Sequence, residues 1–241
     1  VLYIIGYKRG LIHTKLIAFR QFLTSSQGIL HIGIPAASAN MLTPVAAAIL
    51  TAIVARYGES AVAAFGVGSR IESIACLVVL ALSMTLPPFI SQNYGAGLMS
   101  RVAQAYQRAI RFVMFWQVGI YLLLLILAPY IADAFAKEQA VAEVIKLFIY
   151  ILPLGYGLQG IIILTNSSLN ALHKPMLALV LSVIRLFICY VPLTYLGSYF
   201  YQLQGFFIVA LCGNFFMALI SYRMFTKQFK TMASGQEVVS Q

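Results

Sequence analysis

Long apolar stretches separated by short polar segments make up most of this chain. A helix needs about 20 apolar residues to cross a hydrocarbon core of about 30 Å. Because lipid offers no hydrogen-bond partners, the backbone must pair internally, so each stretch is expected to be helical. The pattern predicts an all-α polytopic membrane bundle of six transmembrane helices. The predicted spans are Ile29–Ala55, Ala61–Ile90, Phe112–Ala132, Val144–Ala171, Met176–Leu196 and Gly205–Phe225.

Prolines interrupt several of these spans. Pro35 and Pro44 lie in the first span, and Pro153 and Pro192 lie in the fourth and fifth. Proline removes a backbone donor and clashes with the preceding turn, so kinks are expected at these positions. They are either ordinary packing kinks or points at which a helix bends between states. The pair Pro87–Pro88 is expected to end the second span.

Composition excludes a soluble domain. The chain is 61% hydrophobic and 9% charged, whereas soluble domains carry about 25% charged residues. The three cysteines lie far apart inside predicted spans, so they are interpreted as packing residues rather than disulfide or metal ligands. The net charge of +10 is not accompanied by a basic run interleaved with aromatic residues, so no nucleic-acid partner is predicted.

The basic residues concentrate in every second segment between spans. The intervening segments carry mostly acidic residues or no charge. By the positive-inside rule, the basic segments face the cytoplasm, and so do both ends of this chain. The cytoplasmic group comprises Lys8, Arg9, Lys15 and Arg20; Arg101, Arg108 and Arg111; His173 and Lys174; and Arg223, Lys227 and Lys230.

The chain is expected to have three regions. Residues 1–28 are predicted to be the end of a preceding helix followed by a cytoplasmic connector, because apolar residues from Val1 to Tyr7 lead directly to Lys8 and Arg9. Residues 29–230 form the six-helix lobe, and residues 231–241 form a cytoplasmic tail. Because the chain begins with Val1 in the middle of an apolar segment, we expect a truncation at its N-terminus.

Polar residues inside the spans follow helical faces. Tyr156, Gln159, Asn166 and Asn170 lie on one face of the fourth span, and Asn40 and Thr43 lie on a stripe of the first. Such side chains should point away from lipid, either as hydrogen-bonding contacts between helices or as the lining of a substrate cavity. The second interpretation makes all six candidate substrate-binding residues.

Glu72 is the only carboxylate deep within a predicted span. An ionisable residue at this depth indicates a functional site, so Glu72 is the candidate ion-coupling residue. It lies about 16 Å from the outer end of its span, and Arg185 lies about 13 Å from the inner end of the fifth, so both are near the midplane and are candidates to pair.

Motifs for catalysis or cofactor binding fail in context. Residues 155–160 match GxGxxG, but this segment lies inside an apolar span and no acidic residue follows until Glu237. The three histidines have no zinc-ligand spacing, and neither GxSxG nor HExxH occurs. The sequence therefore predicts a protein that is not an enzyme and has no cofactor.

Four segments together resemble the multidrug and toxic compound extrusion (MATE) family of secondary transporters. They are Gly33-Ile34-Pro35-Ala36, residues 63–73 (AAFGVGSRIES), residues 92–97 (QNYGAG) and residues 166–175 (NSSLNALHKP). Each segment is weak alone, but their order and placement are specific, and the resemblance extends from Gly28 to Phe229. Family members contain two six-helix lobes related as parallel repeats, and this chain resembles the second lobe.

The resemblance implies a function and a branch of the family. One branch carries cation-coupling acids at positions that correspond here to Thr43 and Gly160, neither of which is acidic, although its tyrosine corresponds to Tyr156. The chain is therefore more similar to the bacterial branch of DNA-damage-inducible protein F, whose principal aspartate lies on helix one, outside this sequence. Glu72 then remains the candidate coupling acid of this lobe.

The implied activity is export of organic, often cationic, compounds in exchange for H⁺ or Na⁺ across the bacterial inner membrane. The implied partners are a small organic cation or drug, the lipid bilayer and the missing N-terminal lobe. Two further functions fit the same pattern: a lipid-linked oligosaccharide flippase of the same superfamily, and a membrane subunit that does not transport.

The predicted orientation is testable by labelling. Single cysteines introduced at Lys15, Arg101 and Lys230 should resist an impermeant thiol reagent in intact cells, because their segments are basic. A cysteine at Glu138 should react, because its segment carries acidic residues. The opposite labelling pattern would invert the predicted topology.

Overall fold

The computed structural model describes residues 19–136 and 138–239, without the side chains of residues 19, 32, 36, 39, 230 and 232–239. The chain divides into two units, Val1–Ile34 and Pro35–Gln241. Residues 1–18 of the predicted connector, Lys15 among them, lie outside the described residues. From Phe19 to Ile34 the first unit is helical, so the helix begins ten residues before the predicted span. All contacts described below lie within the second unit.

The second unit is built from helices, and the described residues contain no strand. The helices of the described residues in both units are α1 (Phe19–Val54), α2 (Glu59–Ala75), α3 (Leu77–Gly95), α4 (Met99–Phe135), α5 (Gln139–Ile151), α6 (Tyr156–Ala171), α7 (Pro175–Ile184) and α8 (Val191–Val239). A 3₁₀ turn (Leu152–Gly155) joins α5 to α6, and a π-helical segment (Arg185–Tyr190) joins α7 to α8.

These helices make up the six predicted spans. Helix α1 is the first span. Helices α2 and α3 together form the second, which is bent by 43°, and α4 is the third. Residues Gln139–Ala171 form the fourth. The apolar segment Pro175–Phe229 is 55 residues long, but Tyr201 and Gln202 leave helical geometry and divide it into two spans. Gly197 packs against Gly205 and Val209 across this reversal. The predicted all-α six-helix lobe is confirmed.

The bend in the second span occurs at Cys76, without a proline. The Cys76 amide still donates to the Glu72 carbonyl at 2.9 Å, but Cys76 adopts φ −87° and ψ 0°, outside helical geometry. The carbonyl of Ala75 accepts a 3.0 Å hydrogen bond from Nε2 of Gln117 on α4, and Gln117 is buried. A side chain from a neighbouring helix thus satisfies the carbonyl at the bend, as lipid requires.

The expectation that Pro87–Pro88 end the second span is wrong. Helix α3 continues through both prolines to Gly95. A proline removes one donor but leaves the rest of the ladder intact, and membrane helices tolerate this where neighbouring groups compensate. The hydroxyls of Ser83 and Ser91 donate to the carbonyls of Leu80 and Pro88. These are not the carbonyls of Ser83 and Met84, which the two prolines leave without a backbone donor.

The prolines of the fourth and fifth spans do coincide with irregular geometry, as predicted. Pro153 lies in the 3₁₀ turn that interrupts the fourth span. Pro192 lies two residues after the end of the π-helical segment, in the first turn of α8. Because the proline nitrogen cannot donate, the preceding turn loses a bond and can widen into π geometry, which often marks functional sites.

Glycines on α6 allow close packing at the centre of the lobe. A Cβ built at Gly160 would lie 2.5 Å from Cγ1 of Val113 on α4 and 3.5 Å from Val79 on α3. Val113 and Val79 are fully buried, and β-branched side chains have little rotamer freedom with which to move away. The GxGxxG pattern therefore serves helix packing, as small residues do in membrane interfaces.

Replacement of Gly160 should measure this constraint. Gly160→Ala should destabilise the folded lobe by about 1–3 kcal/mol through overpacking. Gly119→Ala on α4 is the matched control, because a Cβ there meets no atom within 4 Å; its stability should stay unchanged or rise by about 0.5–1 kcal/mol. Unfolding in detergent measures both variants, and equal stabilities would contradict the close approach.

Candidate functional site

The fourth span and the second span meet through a polar contact. Nε2 of Gln159 on α6 donates to Oε1 of Glu72 on α2 at 2.9 Å. Both side chains are half-buried, so part of each remains accessible from the surface of the lobe. The sequence predicted each residue separately as a site residue, and the structure brings them together.

A second polar contact lies between the π-helical segment and α8. Nη2 of Arg185 donates to Oδ1 of Asn214 at 3.4 Å. The guanidinium also lies 5.5 Å from the ring centroid of Tyr190, a distance at which a cation is attracted to an aromatic face. Asn214 is buried and Arg185 is half-buried. The π geometry places Arg185 and Tyr190 five residues apart on the same side of the segment.

The two contacts form one electrostatic unit, which we call the polar cluster: Glu72, Tyr156, Gln159, Arg185 and Asn214. Glu72 interacts electrostatically with Arg185 in addition to its bond with Gln159. Tyr156 lies within electrostatic range of the Glu72 carboxylate. The Tyr156 side chain is buried, and its hydroxyl has no hydrogen-bond partner among the described residues.

The polar cluster lies near the middle of the membrane. Arg185 is ten residues from the start of α7, and Asn214 is twelve residues past the reversal at Gln202. At a rise of 1.5 Å per residue, these distances are about 15 and 18 Å from opposite faces, which together match a hydrocarbon core of about 30 Å. The cluster is therefore at the depth where charges are most costly and most often functional.

Two asparagines extend the polar face of α6 away from the cluster. Nδ2 of Asn166 donates to Oγ of Ser182 on α7 at 3.2 Å. The Oδ1 atoms of Asn166 and Asn170 are buried and have no partner within the described part of the chain. Orphaned buried oxygens in a native fold require an explanation such as water or a ligand group that donates to them. The polar face of α6 predicted from the spacing is therefore present. Some of its side-chain atoms form hydrogen bonds to other helices, and others have no partner among the described residues.

The structure does not bring Asn40 and Thr43 to this cluster. Both side chains are exposed on α1, and neither hydrogen-bonds to another described residue. Their assignment as substrate-binding residues stays a prediction.

Three residues of the site were missed by sequence reasoning. Tyr190 gave no signal because an aromatic residue is common in any apolar span. Ser182 was the single serine of the fifth span, and Gln117 was the single amide of the third. An isolated amide among apolar residues is a usable signal, because in lipid it must find a partner.

The cluster offers charge, amide and hydroxyl groups but no metal site. Among residues 19–136 and 138–239, no group of three His, Cys, Asp or Glu residues could hold a metal ion. The single carboxylate can take a proton or a monovalent cation, and the amides can turn either end towards a ligand. Such chemistry suits reversible binding and release.

Comparison with known proteins identifies the family of the chain. The MatE family model matches residues 35–196. The chain is 40% identical over 192 residues to a protein named FAD transporter of Shewanella oneidensis, covering 80% of this chain and 42% of that protein. It is 36% identical over 111 residues to an uncharacterised 21 kDa protein of Pseudomonas savastanoi, covering 45% of this chain and 37% of the other.

A solved structure shows the same fold. The chain superposes on the bent form of VcmN, a MATE transporter of Vibrio cholerae, with a TM-score of 0.87 and 33% identity, over 94% of this chain and 52% of that one. The chain thus spans about half the length of VcmN and less than half that of the Shewanella protein. With two thirds of its residues matched by the family model and its fold shared with a member, the chain belongs to the MATE family, whose members are transporters rather than enzymes.

Proposed function

We propose that this chain is the C-terminal lobe of a bacterial inner-membrane transporter that exports organic, often cationic, compounds in exchange for H⁺ or Na⁺. Its coverage of about half of VcmN supports a lobe of a larger transporter. In this proposal, the lobe alternates in orientation against the N-terminal lobe around a site near the midplane. The basic segments face the cytoplasm, and both ends of the chain lie on that side.

The polar cluster is the observation that carries this proposal. Glu72 and Arg185 form no direct ion pair, but their charges lie within electrostatic range of each other, and in the ionised state these charges cancel. When Glu72 binds a proton, its negative charge disappears and the cluster carries a net charge of +1. A substrate cation is then repelled from a site in low-dielectric surroundings, where charge interactions are strong. Proton loading therefore favours release of a cation, which is the requirement for antiport.

Sodium would act through the same groups. A bound Na⁺ would neutralise the Glu72 carboxylate and would be held by oxygen atoms such as those of the neighbouring amides. The charge of the cluster would again rise by one, and a cationic substrate would again be displaced. The proposed coupling thus depends on the charge at Glu72 rather than on the identity of the ion.

A second candidate substrate follows from the Shewanella relative. FAD carries a negatively charged diphosphate, and Arg185 with Asn214 offers donors for an anion. For an anionic substrate the sign is reversed, because protonation of Glu72 would leave Arg185 uncompensated and would strengthen binding. Cation export and flavin transport therefore predict opposite responses to the same change at Glu72.

A flippase and a non-transporting subunit make different demands on the lobe. A lipid-linked oligosaccharide flippase would require a site for a phosphorylated lipid, and among the residues of the polar cluster Arg185 is the single cation. A subunit that only packs against a partner would need no charge at the midplane. Uptake or efflux measured with the full-length protein in vesicles separates transport from both roles.

The charge coupling inside the cluster is testable by a double-mutant cycle. Glu72→Gln and Arg185→Gln should each destabilise the folded transporter, because each leaves the other charge without compensation. The double variant should recover part of this loss, with a coupling free energy of about 0.5–3 kcal/mol. Arg185→Gln combined with Glu143→Gln, an exposed acid on α5, should be additive. Additivity of the first pair would show that the charges do not interact.

The transport role of Glu72 is testable in the full-length protein. Glu72→Gln should reduce efflux of a cationic dye by about tenfold, which corresponds to about 1.4 kcal/mol, because the cluster is held in its proton-loaded charge state. The matched control is Glu59→Gln, an exposed acid in the first turn of the same helix, which should retain efflux. If Glu72→Gln instead tightens binding of FAD, the anionic substrate is favoured. Unchanged transport of both compounds would make Glu72 a packing residue.

A further inference from the structure

A groove of about 410 Å³ lies between α4, α6 and α8. Its apolar part is formed by Leu158 and Ile161 on α6 and by Leu219 on α8. Its polar part is formed by Gln107 and Arg111 on α4. None of the five polar cluster residues lines it, so the groove is a separate feature of the lobe.

The polar end of the groove carries an uncompensated charge. The Arg111 side chain is exposed, and no acidic side chain of the described residues pairs with it. Arg108, also exposed, precedes it by three residues and therefore projects from a neighbouring position on α4. Tyr222 on α8 also lines the groove and is held by stacking on Tyr106, with ring centroids 6.3 Å apart.

The groove runs from a membrane interface towards the bilayer centre. Arg111 immediately precedes the apolar part of α4. Val113, two residues further along α4, packs against Gly160 on α6. Ile161 therefore lies at nearly the depth of Arg111, and Leu158 lies about 5 Å deeper. A cation at the interface followed by an apolar channel at acyl-chain depth matches one amphiphile with an anionic head.

We propose that this groove is a binding site for an anionic phospholipid of the cytoplasmic leaflet. The phosphate accepts hydrogen bonds from the Arg111 guanidinium and from the Gln107 amide. One acyl chain lies along Leu158, Ile161 and Leu219. Basic pockets between transmembrane helices on the cytoplasmic side hold anionic headgroups in this way, and an arginine fork suits a phosphate better than a lysine does.

Lipid retention by the purified full-length transporter tests the site without any transport measurement. Delipidated protein is titrated with phosphatidylglycerol, and bound lipid is counted by native mass spectrometry. Arg111→Gln should weaken retention about fivefold, the effect of one basic group near an anionic headgroup. Arg101→Gln is the matched control, since Arg101 is an exposed arginine of the same helix that does not line the groove, and it should retain lipid as the unsubstituted protein does.

A second variant tests the apolar half of the groove. Leu219→Trp should reduce retention while all charges remain, and thermal melting confirms that each variant is folded. Three results would overturn the proposal: phosphatidylcholine of the same chain length retained as well as phosphatidylglycerol, Arg111→Gln retaining as much lipid as Arg101→Gln, or no lipid retained by the unsubstituted protein.

Discussion

The scarcity of hydrogen-bond partners in lipid is the constraint on which this lobe depends. Serine and threonine hydroxyls within the spans can donate to carbonyls of their own helix, but amide and carboxyl side chains need partners on other helices, and these few contacts decide which faces meet. α6 is joined in this way to α2 through Gln159, to α4 through Thr165, whose hydroxyl lies 2.7 Å from that of Tyr106, and to α7 through Asn166. Such bonds average only about 0.6 kcal/mol each, whereas an unpaired polar group costs several times more. Their main effect is therefore to exclude alternative packings.

Most of the architecture could be predicted because hydrophobic length and loop charge are local properties of a membrane sequence. The six spans, the kink at Pro153 and the rejection of GxGxxG at residues 155–160 as a nucleotide site all follow from residue type and position. The bend at Cys76 could not be predicted, because it depends on Gln117, which is distant in sequence. The end of the second span was wrongly predicted at Pro87–Pro88 for the same reason, because whether a helix continues through a proline depends on its surroundings.

The site was predictable where a single residue was anomalous for its environment. Glu72 stood out as the one carboxylate in a span, and the amide face of α6 followed from helical spacing. The pairing of Glu72 with Gln159 could not be derived, because it depends on how α2 and α6 cross. Arg185 was expected as a possible partner of Glu72; it does interact with that charge, but its hydrogen bond goes to Asn214. Helix adjacency was the missing information in each case.

The joint at Cys76 differs mechanically from a proline kink. In a straight helix the Ala75 carbonyl would accept from the amide of residue 79, whereas here it accepts from Gln117. In both the straight and the bent span, the Ala75 carbonyl accepts one hydrogen bond. The bend therefore does not leave this carbonyl without a donor. A proline kink has no such alternative, because its donor is permanently absent. Glu72, one turn before this joint, is held against α6 by Gln159, and Val79, three residues after it, packs against α6 beside Gly160. The joint therefore lets one broken span contact α6 through both of its halves.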